Sequence, residues 1–491
     1  AIVRLYLHAE GANAMSRSRA VVANTTKTVG DLSAVTGQSA KSDYIILTKS
    51  DSDSLDLLGG YDRLEMQGDG NTVSLSNIES IKGSTGADLV TLETAITAGT
   101  VNLAGDTDQL SFSDFGGTAT VLNIESIIGG DDVEYLIYGG QANDDYTDLG
   151  DGIDRILLGK FVNDLTIQNV ETVTGSLLTD VITIDNDFTG GKIDLAAGND
   201  KIQLGDYGNT ITIANIETVR GGDDADLVKI SAIFTKGSVD LGDGIDVLEL
   251  GNFANSINVK NVESLVGGTA VDTVVLNGQA AAIEIDLGAG KDKLTLGDFA
   301  NTVSVYGIET VAGGTGDDIV FISDLVTNAT FNLGSGIDTL NLFDGGSTVS
   351  VGAVETINGD IGNDVVTLTT AASMTIDLDD ADDKLVLGKF ANTVTISNIE
   401  TVVGGLSTDL VTVLTALTGG KIDLGLGSDS LTLADTVNTI TVAGVETMTG
   451  GTNSDQVFVT GALTKAFIDL LAGNDMLTLG AGINSLTVQN V

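Results

Sequence analysis

Along most of the chain apolar, often β-branched residues alternate with Thr, Ser, Asp or Lys, as in DLVTL (88–92), TITI (210–213), SINV (256–259), DKLTL (292–296) and TVSV (302–305). A period of two puts alternate side chains on opposite faces, so these segments predict short strands with one face buried. A helical period competes only weakly, near the N-terminus. Glycine pairs and L-G-x-G-x-D runs separate the strands and predict turns, several with positive φ.

The strands recur on a ruler. An N-I/V-E-T/S element places glutamate at 79, 125, 171, 217, 263, 309, 355, 400 and 446, at intervals of 46 residues with one of 45. Between them an I/V-D-L-G element places Asp56, Asp148, Asp194, Asp240, Asp286, Asp377, Asp423 and Asp469, with Asn102 and Asn332, and 23 residues lead from this position to the following glutamate. Counting back to Ser33 gives 20 equivalent positions, 17 of them acidic. Self-similarity at this scale predicts a repeat architecture. The fold class expected is all-β, a parallel β-solenoid of about 20 turns of roughly 23 residues paired as a 46-residue repeat. Such a turn has a perimeter of at most roughly 75 Å, and the stack would be a rod on the order of 95 Å long. Residues 1–30 carry no repeat and are expected to be a cap or docking arm, with the solenoid over 31–491. The last residues, SLTVQNV, stop where earlier repeats continue, which reads as truncation in mid-repeat at the C-terminus.

Composition sharpens this picture. The chain of 491 residues has a formal net charge of -47, 63 glycines, one histidine and no proline, cysteine or tryptophan. Absence of proline suits strands whose N–H groups are all needed between turns. Thiolate metal sites and disulfides are excluded, and histidine-based zinc sites nearly so. The charge opposes binding to nucleic acid or anionic membranes and favours cations and basic partners. No apolar run is long enough to span a membrane.

Stacked carboxylates need compensation: two unit charges one turn apart repel by roughly 1 kcal/mol in water and about 3 to 4 kcal/mol at an effective dielectric of 20. Either they form a solvated outer face screened by salt, or they bind divalent cations. Asp226, Asp272, Asp318 and Asp455 close the loops GGDDAD, GGTAVD, GGTGDD and GGTNSD. In the alternate turns Asp246, Asp292, Asp338 and Asp429 close LGDGID, LGAGKD, LGSGID and LGLGSD. Exposed loop carbonyls with carboxylates are hard oxygen ligands, which suit calcium.

The G-x-G-x-D-x-L core of these loops resembles the calcium-binding nonapeptide of the RTX (haemolysin-type) β-roll proteins, over roughly residues 31–491. The resemblance implies export, calcium held between stacked glycine-aspartate loops, and a roll that is stable only with the ion. It points to Asp154, and to Gly242, Gly244 and Asp246, Gly288, Gly290 and Asp292, Gly334, Gly336 and Asp338, and Gly425, Gly427 and Asp429 as ligands. The chain departs from the family, whose turn has roughly 18 residues with a nonapeptide on both sides. LDDADD (378–383) and LAGDTD (103–108) lack the second glycine, and Lys291 and Lys293 flank Asp292. The alternative to calcium is an aspartate that hydrogen-bonds its own turn.

Recurring asparagines (Asn163, Asn209, Asn255, Asn301, Asn392, Asn438, Asn484) and aromatics (Phe115, Phe161, Tyr207, Phe253, Phe299, Phe390) read as satisfied amides and corner-filling rings. The repeat is irregular over 131–147, which holds Tyr135, Tyr138 and Tyr146, Glu134 at a loop-aspartate position, and Asp144 and Asp145. This stretch is the expected partner patch; Arg155 and Arg220 could replace a cation beside acidic loops. Arg4, Arg17 and Arg19 make the N-terminal segment the one basic region, a second expected contact surface.

Uniform periodicity points to a non-catalytic structural protein: the calcium-stabilised rod of an extracellular, cell-surface filament, sheath, surface layer or long adhesin. Head-to-tail self-association would follow from open strand edges at its ends, with cell-surface polysaccharide as a further partner. The alternative is the β-solenoid part, catalytic or not, of a secreted polysaccharide-modifying enzyme, which should interrupt the repeats once to build its site.

Overall fold

A computed structural model describes residues 26–35, 37 and 41–491. They fall into a first unit ending at Asp246 and a second, Val247–Val491. Each unit is a parallel β-solenoid, and together they hold about 23 turns. Among the described residues the helical content is one short 3-10 turn, Leu32–Ala34. Of the expected cap, Thr26–Val29 is a strand paired in parallel with Tyr44–Leu47; Arg4, Arg17 and Arg19 lie outside the described residues.

The alternation read from the sequence sets which side chains enter the core. In Thr302–Tyr306, Val303 and Val305 are buried while Thr302, Ser304 and Tyr306 face outward. From Tyr44–Leu47 onward the chain crosses from one sheet to the other after each strand, so each sheet is a ladder of parallel strands from successive turns. Val303 pairs with Val320, Val320 with Leu340, Leu340 with Ile357, and Ile357 with Ile376. These side chains are all fully buried, and burial of each contributes about 1.5 to 3 kcal/mol. The first unit stacks Leu165, Ile182, Ile202, Val219 and Val239 in the same way.

The register corrects the expected turn. Stacked partners are separated by 17 residues (Val303 to Val320) or 20 (Val320 to Leu340), not 23. Thr302–Tyr306 lies in one sheet and its repeat equivalent, Thr348–Gly352, in the other. The next equivalent, Thr393–Ser397, returns to the first sheet five strands after the start. Two 46-residue repeats therefore fill five turns of about 18 residues, and one repeat spans two and a half. Equivalent residues of successive repeats emerge on opposite sides of the solenoid.

The two ruler motifs accordingly do not stack. Asp286 lies in the strand Ala281–Gly288, whereas Glu309 immediately precedes Thr310–Ala312 of the opposite sheet. What holds their spacing is a bond to the asparagine two residues before the glutamate. Asn77 Nδ2 donates to Asp56 Oδ1 at 2.7 Å, Asn169 to Asp148 at 2.7 Å and Asn398 to Asp377 at 2.8 Å, each across 21 residues, or one turn. These asparagines sit at φ 53, 51 and 52, a left-handed conformation that asparagine tolerates better than most residues.

Candidate functional site

A strand that begins at a solenoid corner leaves a backbone N–H without a partner in its own turn, and here a side chain from the next turn accepts it. Ala280 N–H donates to Asn301 Oδ1 at 2.9 Å, Asn301 N–H to Asp318 Oδ1 at 3.1 Å, Asp318 N–H to Asp338 Oδ1 at 2.8 Å, and Asp338 N–H to Glu355 Oε2 at 2.9 Å. The opposite corner repeats the run through Asn255, Asp272, Asp292 and Glu309, at 2.9, 2.7 and 2.9 Å. In the first unit Asn209, Asp226 and Asp246 are joined likewise at 2.9 and 2.7 Å. Each corner thus reads apolar, Asn, Asp, Asp, Glu over five turns, with Ser347 in place of one asparagine, so carboxylates occur in groups of three separated by two neutral turns.

The expected metal-ligand aspartates are brought together, in pairs. Asp226 lies one turn from Asp246, Asp272 from Asp292, and Asp318 from Asp338, so the two loop types separated in the sequence share a corner. Asp455 pairs with Asp475, Asp154 with Glu134, and Asp429 with Asp409, the last three partners being absent from the expected ligand set. All the expected aspartates are buried, whereas ruler acids such as Asp286 and Asp377 are exposed. Lys291 and Lys293 are exposed on the far side of the strand from Asp292, so alternation keeps them away from its carboxylate.

The glycines answer to the fold directly. Gly288 has φ 77, and a Cβ there would lie 2.2 Å from the carbonyl oxygen of Gly268 in the neighbouring turn; Gly242, Gly334 and Gly425 are constrained in the same way. At Gly290 a Cβ would lie 2.5 Å from Asp292 Oδ1, and at Gly427 2.5 Å from Asp429 Oδ1. Gly244 and Gly336 also lie against the carboxylates two residues on. The G-x-G-x-D spacing therefore suits a close passage of two turns with the carboxylate tucked inside, although Asp379 and Ala381 of LDDADD take the same positive φ, 64 and 151, ahead of a buried Asp383.

In Asp154, Asp292, Asp338 and Asp429 one oxygen caps an amide and the other is the chemically open position. Oδ2 of Asp154, Asp292, Asp338 and Asp429 is buried without a hydrogen-bond partner. In the adjoining loop type Oδ2 of Asp226, Asp272 and Asp318 is likewise buried without a hydrogen-bond partner, whereas Asp455 Oδ2 accepts the Gly451 N–H at 3.0 Å. Burial, opposed by the capping amide and reinforced by the carboxylates one turn away, raises Asp338 and Asp292 to about 6. Asp154 is also raised to about 6 and Asp383 to about 7, again chiefly by burial. Asp226, Asp272, Asp318 and Asp429 are raised for the same leading reason. Buried, unpartnered carboxylate oxygens fit a hard divalent cation, and nothing in this donor set suits a softer metal.

Other expectations change. Residues 131–147 do not interrupt the solenoid: Glu134–Tyr138 pairs with Gly117–Leu122, and Asn143–Gly150 with Asn163–Gln168. Tyr138 is no contact residue, because it is buried with its hydroxyl 2.6 Å from Thr147 Oγ1; Tyr135 and Tyr146 are half-buried on the outer faces. Arg155 and Arg220 are exposed. The recurring aromatics are not corner fillers: Phe299 remains 46% exposed, its ring lying beside Gly297. A cluster missed in the sequence, Asp31, Asp51 and Asp53, brings three carboxylates together near the start of the described region; its Asp51 Oδ2 accepts the Leu32 N–H. No protein-family model matches this chain, and no curated protein matches it in sequence.

Proposed function

We propose that the protein is a non-catalytic, extracellular structural component: a scaffold of a cell-surface filament, sheath, surface layer or adhesin whose solenoid turns are stabilised by calcium and which self-associates head to tail. The observation that carries this reading is the repeated pair of inward-facing aspartates with an unpartnered buried oxygen, as at Asp318 and Asp338, recurring at both corners of the fold. Groups of three carboxylates with no cation are costly to bury, and divalent ions would neutralise them. Gly334 and Gly336 would expose carbonyls beside Asp338, and the equivalent glycines would do so beside Asp246, Asp292 and Asp429. A turn length of about 18 residues also agrees with the RTX-like resemblance, for which a 23-residue turn would have been a departure.

The test is electron microscopy and analytical ultracentrifugation of the purified chain in millimolar calcium and in excess chelator. Assemblies that form with calcium and disperse with chelator are expected. Particles of identical size and fold content in both conditions would sink the proposal.

A further inference from the structure

In the first unit one corner breaks the Asn, Asp, Asp, Glu pattern in a particular way. Glu134 stands where Asp226 and Asp318 stand in later repeats, and Gly117 stands where Asn209 and Asn301 stand. At the regular positions the asparagine supplies two donors to one oxygen: Asn209 N–H and Nδ2 both lie 2.9 Å from Asp226 Oδ1. Gly117 has no side chain to donate, and its N–H goes instead to the Val133 carbonyl at 3.1 Å. Glu134 is 0% exposed, and neither of its oxygens has a hydrogen-bond partner.

The next turn adds to the deficit. Asp154 accepts the Glu134 N–H through Oδ1 at 2.7 Å and donates its own N–H to Glu171 Oε2 at 2.6 Å, while its Oδ2 is buried without a partner. Three carboxylate oxygens of two residues on adjacent turns are thus sequestered from water and unpaired. Arg155, the nearest cation in sequence, is exposed and forms no ion pair among the described residues. Burial is the main cause that lifts Glu134 to about 8, with Asp154 and Asp132 adding to it and the Gly130 amide opposing it weakly. Such a group demands either a proton or a metal.

We propose that Glu134 and Asp154 bind a divalent cation of the calcium class in a site of their own, built where the asparagine is missing. Two carboxylates and one divalent ion make a neutral buried unit, and oxygen-only ligation selects a hard ion. The loop preceding Glu134, GGDDVE, has no G-x-G-x-D spacing, so sequence resemblance does not mark it. Backbone carbonyls and water would complete the coordination. The inference rests on the reading of the corner aspartates as calcium ligands, which it extends to Glu134, and is independent of the scaffold reading; calcium binding that is retained in full in Glu134→Gln would overturn it alone, and no calcium binding at all would overturn both.

The chain has no tryptophan, so terbium luminescence can be excited through tyrosine alone, and Tyr135 and Tyr138 follow Glu134 closely. The full chain, stripped with chelator, is titrated with terbium and the signal competed with calcium; calcium stoichiometry is measured in parallel by calorimetry. Glu134→Gln is expected to lower the tyrosine-sensitised emission and to remove about one calcium per chain, while Asp338→Asn in the second unit retains the emission that Glu134→Gln loses. Unchanged emission and stoichiometry in Glu134→Gln would overturn the proposal, whatever Asp338→Asn does to the other loops. Should circular dichroism show that Glu134→Gln does not fold, Glu134→Asp is measured instead. Its side chain is one methylene shorter and lacks the asparagine donors, so affinity should fall about 10-fold or more, and equal affinity would overturn the site. A carboxylic-acid infrared band present in saturating calcium at neutral pH and lost in Glu134→Gln would also overturn it, by placing a proton where the ion should be.

Discussion

Replacing Asp338 by asparagine separates the two jobs of the corner carboxylate. The substituted amide would still offer an Oδ1 to the Asp318 N–H, which now donates to Asp338 at 2.8 Å, and would keep nearly the same volume beside Gly336. What disappears is the charge. The wild-type carboxyl, raised from 3.8 to about 6 by burial and by Asp318, Glu355 and Asp317, is ionised at neutral pH at a cost. A shift of that size corresponds to about 3 kcal/mol at most, and on the order of 1 to 2 kcal/mol once screening at the corner is allowed for. In chelator at pH 7, Asp338→Asn should therefore be as stable as the wild type or more so by that amount. In saturating calcium the order should invert, because the variant loses an anionic ligand. Denaturant unfolding followed by circular dichroism, with amide exchange at Asp318 as a local probe, reads both signs. A variant destabilised equally in chelator and in calcium would refute the claim that burial penalises this carboxylate and that an ion relieves it.

In chelator, stability should fall as pH rises from about 4 to 7: the folded carboxyls at Asp154, Asp292 and Asp338 bind protons more tightly than the unfolded ones, so their stabilisation is fully present below 3.8 and is lost through about 6. Calcium should flatten that slope, and a profile that rises with pH in chelator would contradict the assigned directions. Gly290→Ala should destabilise by roughly 1 to 3 kcal/mol in urea unfolding, since its Cβ would lie 2.5 Å from Asp292 Oδ1 and one of the two must move. Tyr138→Phe leaves the buried Thr147 hydroxyl unpaired and should cost about 1 to 3 kcal/mol, whereas a neutral result would mean that Thr147 finds another partner.

The class of fold was legible because strand alternation is a local property: TVSV at 302–305 becomes a strand with Val303 and Val305 inside. The turn length was not, because the most regular spacing in the chain is not the helical pitch of the solenoid. Asp56 reaches Asn77 across one turn of 21 residues, and Glu79, two residues beyond, serves a different corner by accepting the Asp62 N–H. A repeat of two and a half turns hides its pitch, since stacked residues such as Asp338 and Glu355 carry different residue types, while like residues such as Glu309 and Glu355 fall on opposite sides. The same geometry explains why the loop aspartates were read as two separate sets. Asp318 and Asp338 close loops of unlike sequence, and only the register, 20 residues apart, places one carboxylate over the amide of the other. Glu134 was visible as an acid in a loop-aspartate position, but its isolation was not, because the missing donor belongs to a residue, Gly117, one turn earlier. In this fold the partners of a polar residue are set by the pitch, so the chemistry of a corner becomes readable from sequence once its steps of 21, 17, 20 and 17 residues are applied in place of 23.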